Sequence, residues 1–454
     1  MKSLKSFIGH THILRLTYHR LRGHLAAFLA GYPARTLTVT AITGTDGKTT
    51  TVSMITHILR SCGKKVAAAS TAYLDIDGTR VPNATQKTSL SASDIQRFLR
   101  KVARAKCEHV VLEASSHGLL QGRLAGISIT VAGVTNVTME HLDYHGTMKE
   151  YIRAKSLLFQ ALRKQGTKVI NADDVSYDCF SRIPSASTIA YSPSVQLSRI
   201  QSLGSAVSAT LTYDNVEYHL SLPISGTFNL SNALCAICCT SALGIPVSSS
   251  VQSLTTFIAP SGRMERIDRG QTFHVFVDFT VTPVAYERTL DSLRGSLSEG
   301  GRLIVVTGSC GDRMPEKRPL VGAICSRKAD IVIVTNEDPY TEDPEKIIDE
   351  VISGVTDMMR YQSEHDFKAD PHPPDRYCIR VSDRMDAITL ALSLARTGDS
   401  VIFCGKGADI TMMTASGQIP WHEKELVERA IDAQLLLRRT NASNPTPASS
   451  TGTV

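Results

Sequence analysis

Along the first half of the chain, hydrophobic positions switch repeatedly between a period of two and a period of 3.6. Leu37-Thr38-Val39-Thr40-Ala41 alternates as a half-buried strand does, and Val52, Ile55, Ile58 and Leu59 then follow helical spacing, with Gly63 as a stop. From residue 36 to about 260 such strands and helices alternate, which predicts a mostly parallel sheet covered by helices. Residues 110–113 and 129–134 are its clearest buried strands, and a helix is expected over 148–162 with Lys155 among apolar neighbours. The Ser-rich stretch 186–222 carries short alternating runs, such as residues 209–213, and predicts a small antiparallel excursion. A long apolar helix opens near Gly226 and runs through Leu243.

Pro260-Ser261-Gly262-Arg263 is a turn-rich joint where a domain boundary is expected, and beyond it the rhythm restarts. Residues 274–279, 302–307, 331–335 and 400–404 read as apolar strands separated by helical segments, a second doubly wound domain. Residues 362–376, rich in Asp, His and Pro, read as a surface insertion, and the tail 440–454 as disordered. The expected class is α/β: a short helical segment 1–35, a central P-loop ATPase domain 36–260, a Rossmann-like C-terminal domain 261–439, and the tail.

Composition changes this picture little. A chain of 454 residues is too long for one ordinary core. Its formal charge of +6 comes without a long basic run, so acidic small molecules are weakly favoured as substrates and nucleic acid is not. Ten cysteines lack paired metal-ligand spacing, and Cys235, Cys238 and Cys239, in an apolar helical segment, read as reduced core residues. No apolar run reaches the roughly 18–20 residues that span a bilayer. Residues 10–32 place Arg15, Arg20 and Arg22 beside Ile13, Leu14, Leu16, Leu21, Leu25 and Phe28. That basic amphipathic pattern suits a weak peripheral membrane contact or a helix docked on the first domain, and docking is the favoured reading. A cytoplasmic, monomeric protein without a cleaved signal is expected.

The candidate chemistry gathers where strands end. Gly44-Thr45-Asp46-Gly47-Lys48-Thr49-Thr50-Thr51 joins the first predicted strand to its helix. There, backbone N–H groups at a helix start face an anion, the Lys48 ammonium reaches outer phosphates and the Thr49 hydroxyl holds Mg2+. The loop departs from the eight-position P-loop pattern, whose first glycine falls at Ala41, and a chance Gly-rich turn is the alternative. Glu113 ends an apolar strand, where a carboxylate either sits beside Mg2+ or simply caps the strand. His141, Asp143 and His145 crowd one strand-end loop, although a lone His there is usually structural. In the second domain, the segments 308–313, 336–340 and 405–409 occupy strand ends.

These segments together resemble the Mur ligases, in particular the MurE type that adds the third amino acid of the peptidoglycan stem peptide. Residues 44–51 resemble GTNGKTTT with Asp46 at the Asn position, and Glu113-Ala114-Ser115-Ser116-His117 resembles EVSSH. Residues 136–146 resemble NLTxDHLDYHG, 151–155 YxxAK, 226–232 GxFNxxN, 262–265 GRME and 308–319 GxGGDRDxxKRP. The resemblance covers roughly residues 36–435 in the family's order. It implies an ATP-dependent carbon–nitrogen ligase that works through an acyl phosphate and releases ADP and phosphate.

By the same resemblance Lys48, Glu113, His141 and Lys155 are catalytic. Mg2+ falls to Thr49, Glu113, His141 and Lys155, the last as a carbamate, with a snorkelling lysine as the alternative. ATP falls to Gly44, Thr45, Asp46, Gly47, Lys48, Thr49, Thr50, Asn229, Asn232, Arg263 and Asp278. Thr88, Ser89, Ser115, Gln121 and Arg123 match positions that hold an acidic peptide acceptor, and Arg313, Asp338, Tyr340, Gly405 and Asp409 address the amino acid. Three departures qualify the match. Only about 40 residues precede the loop, where MurE-type enzymes carry a uridine-nucleotide domain, so a folylpolyglutamate-synthase-like ligase on a non-UDP acceptor, or a non-catalytic nucleotide-binding relative, is the alternative. Glu337-Asp338-Pro339-Tyr340 stands where diaminopimelate-adding enzymes show DNPR, which puts diaminopimelate in doubt. Val281 and Ala408 replace motif histidines, and Asp409 replaces a Glu.

Overall fold

A computed structural model describes residues 13–85, 87–203 and 205–443. The chain forms two compact units. The first runs through Glu265 and adds Thr280–Ser296 and Arg313–Lys317; the second comprises Arg266–Phe279, Leu297–Asp312 and the chain from Arg318 onward.

The first unit is built on strands β1 (Thr38–Thr43), β2 (Val66–Ala69), β3 (Tyr73–Ile76), β4 (Thr79–Pro82), β5 (His109–Glu113), β6 (Ile129–Val134), β7 (Leu162–Asn171) and β8 (Ser187–Tyr191). Their order is β4-β3-β2-β5-β1-β6-β7-β8, parallel except for the β3 and β4 edge. Alternate residues of the central strands feed opposite faces, as a period of two requires. Val39, Ala41, Val110 and Leu112 join one core under helices Ala92–Arg104 and Met148–Gln160, and Ile42, Val111 and Val131 join the other under helices Lys48–Ser61 and Phe228–Ser241. Because β1 is central and Ile42 pairs with Glu113, the end of β5 lies beside the loop that leaves β1.

The antiparallel excursion is smaller than expected: β9 (Leu197–Leu203), β10 (Ala206–Tyr213) and β11 (Val216–Leu222) form it. Residues 187–191 belong instead to β8, which pairs parallel with β7 as an edge of the main sheet. An edge strand with one exposed face alternates just as an antiparallel strand does, so periodicity could not separate the two. The helix expected over 148–162 ends at Gln160, because Leu162 already belongs to β7.

In the second unit the strands are β12 (Glu265–Ile267, whose first residue still belongs to the first unit), β13 (His274–Asp278), β14 (Leu303–Thr307), β15 (Ile331–Val334), β16 (Met359–Tyr361), β17 (Tyr377–Arg380) and β18 (Ser400–Cys404). Their order is β12-β13-β18-β14-β15-β17-β16, and the ladder from β13 to β16 is parallel. The loops after β18, β14 and β15 therefore leave the carboxyl ends of three adjacent strands, the usual place for a ligand in such a sheet. The expected surface insertion contains a short helix, Glu364–Ala369.

The final helix, Glu423–Ser443, overturns part of the expected tail, since Thr440 to Ser443 are helical. Val427 and Ile431 are fully buried and anchor this helix, which then propagates beyond them to Ser443. The remainder of the tail, 444–454, and residues 1–12 of the N-terminal segment lie outside the described residues. Helix Ile13–Leu29 is docked on the first unit, where Leu16 and Ala27 are buried.

Candidate active site

The loop between β1 and helix Lys48–Ser61 needs both of its glycines. A Cβ on Gly44, at φ +147°, would stand 1.9 Å from Thr135 Oγ1, and one on Gly47, at φ +79°, 2.1 Å from Asn232 Oδ1. The loop is pinned to the segment that follows β6. Thr45 N–H donates to Asn136 O (2.8 Å), Asp46 N–H to Asn136 Oδ1 (3.0 Å), and Thr135 Oγ1 donates to Asp46 O (2.6 Å). Gly47 caps the helix without a side-chain hydrogen bond, so the first N–H groups have no intrahelical partner. The result is a rigid, glycine-lined cradle at a helix start, which suits a phosphate group.

Two lysines and a carboxylate face this cradle. Lys48 Nζ donates to Thr45 O (2.7 Å), and burial pushes its ammonium below the ordinary lysine value. Thr49 Oγ1 donates to Glu113 Oε2 (2.9 Å), and Thr71 holds the same carboxylate through its N–H (2.8 Å) and its hydroxyl (3.1 Å). Arg263 reaches Thr49 Oγ1 at 3.4 Å, and Thr50 is buried in the same first turn. Lys155 Nζ donates to Gly44 O (2.6 Å) and lies 4.3 Å from the Tyr151 ring centroid. Burial, with Lys48 nearby, drives its pKa well below the usual lysine range.

His141 takes a left-handed conformation (φ 58°) at the start of a one-turn helix, Leu142–His145, where an irregular loop was expected. Its ring stands 4.7 Å from that of His117 and 6.3 Å from that of Tyr151. Burial lowers all three nearby imidazoles: His117 to about 3, His145 to about 4, and His141 well below 6.5, with His117 and Lys155 adding to the shift at His141. At neutral pH these rings are uncharged and able to ligate. Asp143 is exposed, so the buried part of the expected crowding reduces to the histidines.

A connected polar chain starts at the same strand end. Ser89 Oγ donates to Glu113 O and accepts from Ser115 N–H (2.8 Å), and Arg123 NH1 donates to Ser89 O (2.7 Å). Arg123 also grips Gln121 Oε1, whose amide donates to Tyr144 OH (3.1 Å). Thr88, half-buried, precedes Ser89. Asn229 and Asn232 share a hydrogen bond (3.0 Å) on helix Phe228–Ser241, against Gly47. Arg313 belongs to the first unit and its positive charge helps to depress His117 and His141.

The remaining residues lie in the second unit. Asp278 ends β13, and its carbonyl accepts from Gly405 N–H (3.1 Å). Both Asp338 oxygens accept from Lys406 Nζ (2.8 and 2.9 Å), and Oδ1 also takes the Met413 N–H (2.8 Å), while Asp409 lies 3.5 Å from the same ammonium. Tyr340 is left-handed (φ 51°), and a Cβ on Gly405 would stand 2.5 Å from Glu337 Oε2.

Sequence reading passed over Thr71, which holds Glu113, and Lys406, which holds Asp338. It also gave no role to Arg318, buried and bonded to Glu342, Glu350 and Cys310 O. The signals existed only for Lys406 and Arg318, which lie inside the strand-end and motif segments 405–409 and 308–319.

The phosphate cradle on a parallel sheet, followed by a doubly wound unit, defines a nucleotide-handling α/β protein. Residues 42–240 match the Mur ligase middle domain and residues 262–407 the Mur ligase, glutamate ligase domain. The UDP-N-acetylmuramyl-tripeptide synthetase of Roseiflexus sp. strain RS-1 is 34% identical over 425 residues, 90% of this chain and 81% of that protein. The UDP-N-acetylmuramoyl-L-alanyl-D-glutamate–2,6-diaminopimelate ligase of Synechococcus elongatus is 34% identical over 417 residues, 90% of this chain and 79% of that protein. The chain belongs to the Mur ligase family. A solved diaminopimelate ligase of the same description superimposes with a TM-score of 0.61 at 29% identity, covering 92% of this chain and 83% of that one. The Mycobacterium tuberculosis folylpolyglutamate synthase shares the fold, with a TM-score of 0.67 at 17% identity over 85% of this chain and 92% of its own. Among the described residues no helix is long and apolar enough to cross a membrane.

Proposed function

We propose that this chain is an ATP-dependent amide ligase that adds an amino acid to a UDP-N-acetylmuramoyl-L-alanyl-D-glutamate-like acceptor. In this reading residues 36–260 take ATP and the acceptor, and residues 261–439 bring the amino acid. The observation that carries it is the convergence of Lys48, Thr49, Glu113 and Lys155 on one glycine cradle. Relatives that are one-third identical along nine-tenths of the chain, and are named for this reaction, support the choice of acceptor.

The cradle fits the ATP phosphates, because Gly44 and Gly47 let the loop pack against Thr135 and Asn232 while the uncapped helix start leaves its first backbone N–H groups without an intrahelical partner. Asn229, Asn232, Arg263 and Asp278 would serve the adenosine side. Mg2+ fits the hard oxygen donors of Thr49 and Glu113, and when bound it would neutralise phosphate charge. His141 and carbamylated Lys155 would hold a second ion. A lysine whose pKa is lowered by burial is chemically suited to carbamylation, because burial favours the free amine and only the free amine adds CO2.

The chemistry balances simply. An acceptor carboxylate oxygen attacks the γ-phosphorus and ADP leaves; the amine nitrogen then attacks the acyl carbon, phosphate departs and the nitrogen loses a proton. Lys48 would stabilise charge on the transferring phosphoryl group. Ser89, Ser115, Gln121 and Arg123 would orient the acceptor, joined by Thr88. Arg313, Tyr340, Gly405 and Asp409 would bound the amino-acid site, with Asp338 acting through Lys406. Tyr340, where diaminopimelate-adding relatives carry arginine, favours an amino acid without a second carboxylate.

The test is mass spectrometry of products formed from ATP, Mg2+, UDP-muramyl dipeptide and mixed amino acids. A mass gain of one aminoacyl residue with stoichiometric ADP supports the reading. ADP release with folyl or glutamyl acceptors, and none with any UDP-muramyl peptide, overturns it.

A further inference from the structure

Helix Ile13–Leu29 carries two faces that the ligase reading does not use together. At 100° per residue, Leu16, Arg20, Gly23 and Ala27 share one side. That side is seated: a Cβ on Gly23 would stand 2.5 Å from Gly122 O and 2.9 Å from Ala125 Cβ, and the Arg20 stem lies over Gly122. The opposite side bears Tyr18, Leu21, Leu25 and Phe28, which remain 57%, 64%, 55% and 65% exposed. Four large apolar side chains in one continuous helical row form an exposed patch that water disfavours.

Charge identifies what covers it. The chain has no Asp or Glu before Asp46, while Lys2, Lys5, Arg15, Arg20, Arg22 and Arg35 equal its whole formal excess of +6. The rest of the molecule is balanced, so the positive charge is concentrated in the segment that carries the apolar row. Arg22 and His24 are exposed on either side of that row. A second copy packed on this face would bring two acid-free, arginine-bearing helices together, which like-charge repulsion opposes. An anionic surface with an apolar interior complements both the row and its flanks.

We propose that this face docks the protein on an anionic phospholipid bilayer, with Tyr18, Leu21, Leu25 and Phe28 entering the interface and Arg22 meeting headgroup phosphate. This places the enzyme at a membrane surface, and it does not depend on which acceptor the ligase uses.

The full chain is pelleted with phosphatidylcholine vesicles that either contain or lack phosphatidylglycerol. The expected result is at least about tenfold greater partitioning onto the anionic vesicles, diminished by high salt. Leu21→Ser with Leu25→Ser and Phe28→Ser should abolish it, with melting temperature and ATP turnover unchanged. Arg22→Glu, which leaves the apolar row intact, should weaken it and covers the case in which the triple variant fails to fold. Equal partitioning onto neutral vesicles, no pelleting with anionic ones, or a dimer in light scattering that the serine variant converts to monomer would each overturn the proposal.

Discussion

Lys155 in the first unit and Lys406 in the second are both sealed from water, at 1% and 0% exposure, yet their surroundings push them in opposite directions. Lys155 has a carbonyl and an aromatic ring for company, and burial lowers its pKa far below the ordinary value. Burial also works to lower Lys406, but Asp409 and Asp338 outweigh it, and its ammonium is held above the ordinary value. A buried lysine is therefore an ion or an amine according to the carboxylates within reach, not according to depth alone. The second unit uses its buried cations as struts, and Arg318 between Glu342 and Glu350 is another. The first unit keeps beside its glycine cradle a buried lysine that bonds a carbonyl rather than a carboxylate, where burial favours the free amine.

This contrast is broken or upheld by replacing each lysine with methionine of similar length. Lys406→Met strands the buried Asp338 carboxylate and should destabilise the protein by about 3–5 kcal/mol, the usual consequence of halving a buried pair. Lys155→Met, in metal-free and CO2-stripped buffer, removes a poorly solvated amine and should leave the urea midpoint equal to or above that of the wild type. A loss of stability in both variants would show that the two lysines do the same structural work.

Activity should divide the pair in the opposite sense. Lys155→Met is expected to lower kcat/KM for acceptor-dependent ADP release by more than about 100-fold, beyond the 10- to 100-fold typical of losing an outer partner of a metal site. In wild-type enzyme, adding bicarbonate to CO2-stripped protein should restore turnover and add the mass of one carbamate. No response to bicarbonate, with Lys155→Met fully active, would remove the amine from the mechanism.

The pH dependence gives a sign for each lysine. Lys155 has its folded pKa below the unfolded value near 10.4, so between the two the unfolded chain binds more protons and stability rises with pH, by at most about 1.4 kcal/mol per unit. Lys406 has its folded pKa raised, so its contribution is fully present below about 10.4 and is lost as pH climbs through the folded value. Urea unfolding of wild type and both methionine variants across alkaline pH should therefore flatten the rise in Lys155→Met and the fall in Lys406→Met. Identical slopes in all three proteins would contradict both assignments.

How much of this was legible follows from distance along the chain. β5 and β6 are buried on both faces and read as continuous apolar runs, whereas β16 and β17 are short, flanked by the Asp-, His- and Pro-rich stretch, and went unseen. The Gly44 to Thr51 loop declares itself because its glycines, lysine and threonine are neighbours. Thr71 meets Glu113 across 42 residues and Lys406 meets Asp338 across 68, and only the strand order creates those encounters. The family resemblance carried the roles of Lys155 and His141, but local pattern alone offered no reason to join them to the loop.

Thr71 supplies the smallest test, on the side of the molecule where the carboxylate rather than the lysine is held. Glu113 receives two hydrogen bonds from Thr71, and Thr71→Val removes only the hydroxyl, at 3.1 Å, while the backbone N–H at 2.8 Å remains. Glu113 should stay near Thr49 Oγ1 but lose its fixed tilt. The expected outcome is a half-saturating Mg2+ concentration raised about 10-fold, at the low end for an outer partner of a metal ligand. The maximal rate at saturating Mg2+ should change little, because the cradle, Lys48 and Lys155 are untouched. A fall in the maximal rate with no change in Mg2+ dependence would mean that Glu113 acts on substrate rather than on metal, and the proposed division between a carboxylate that holds metal and a strut carboxylate such as Asp338 would have to be redrawn.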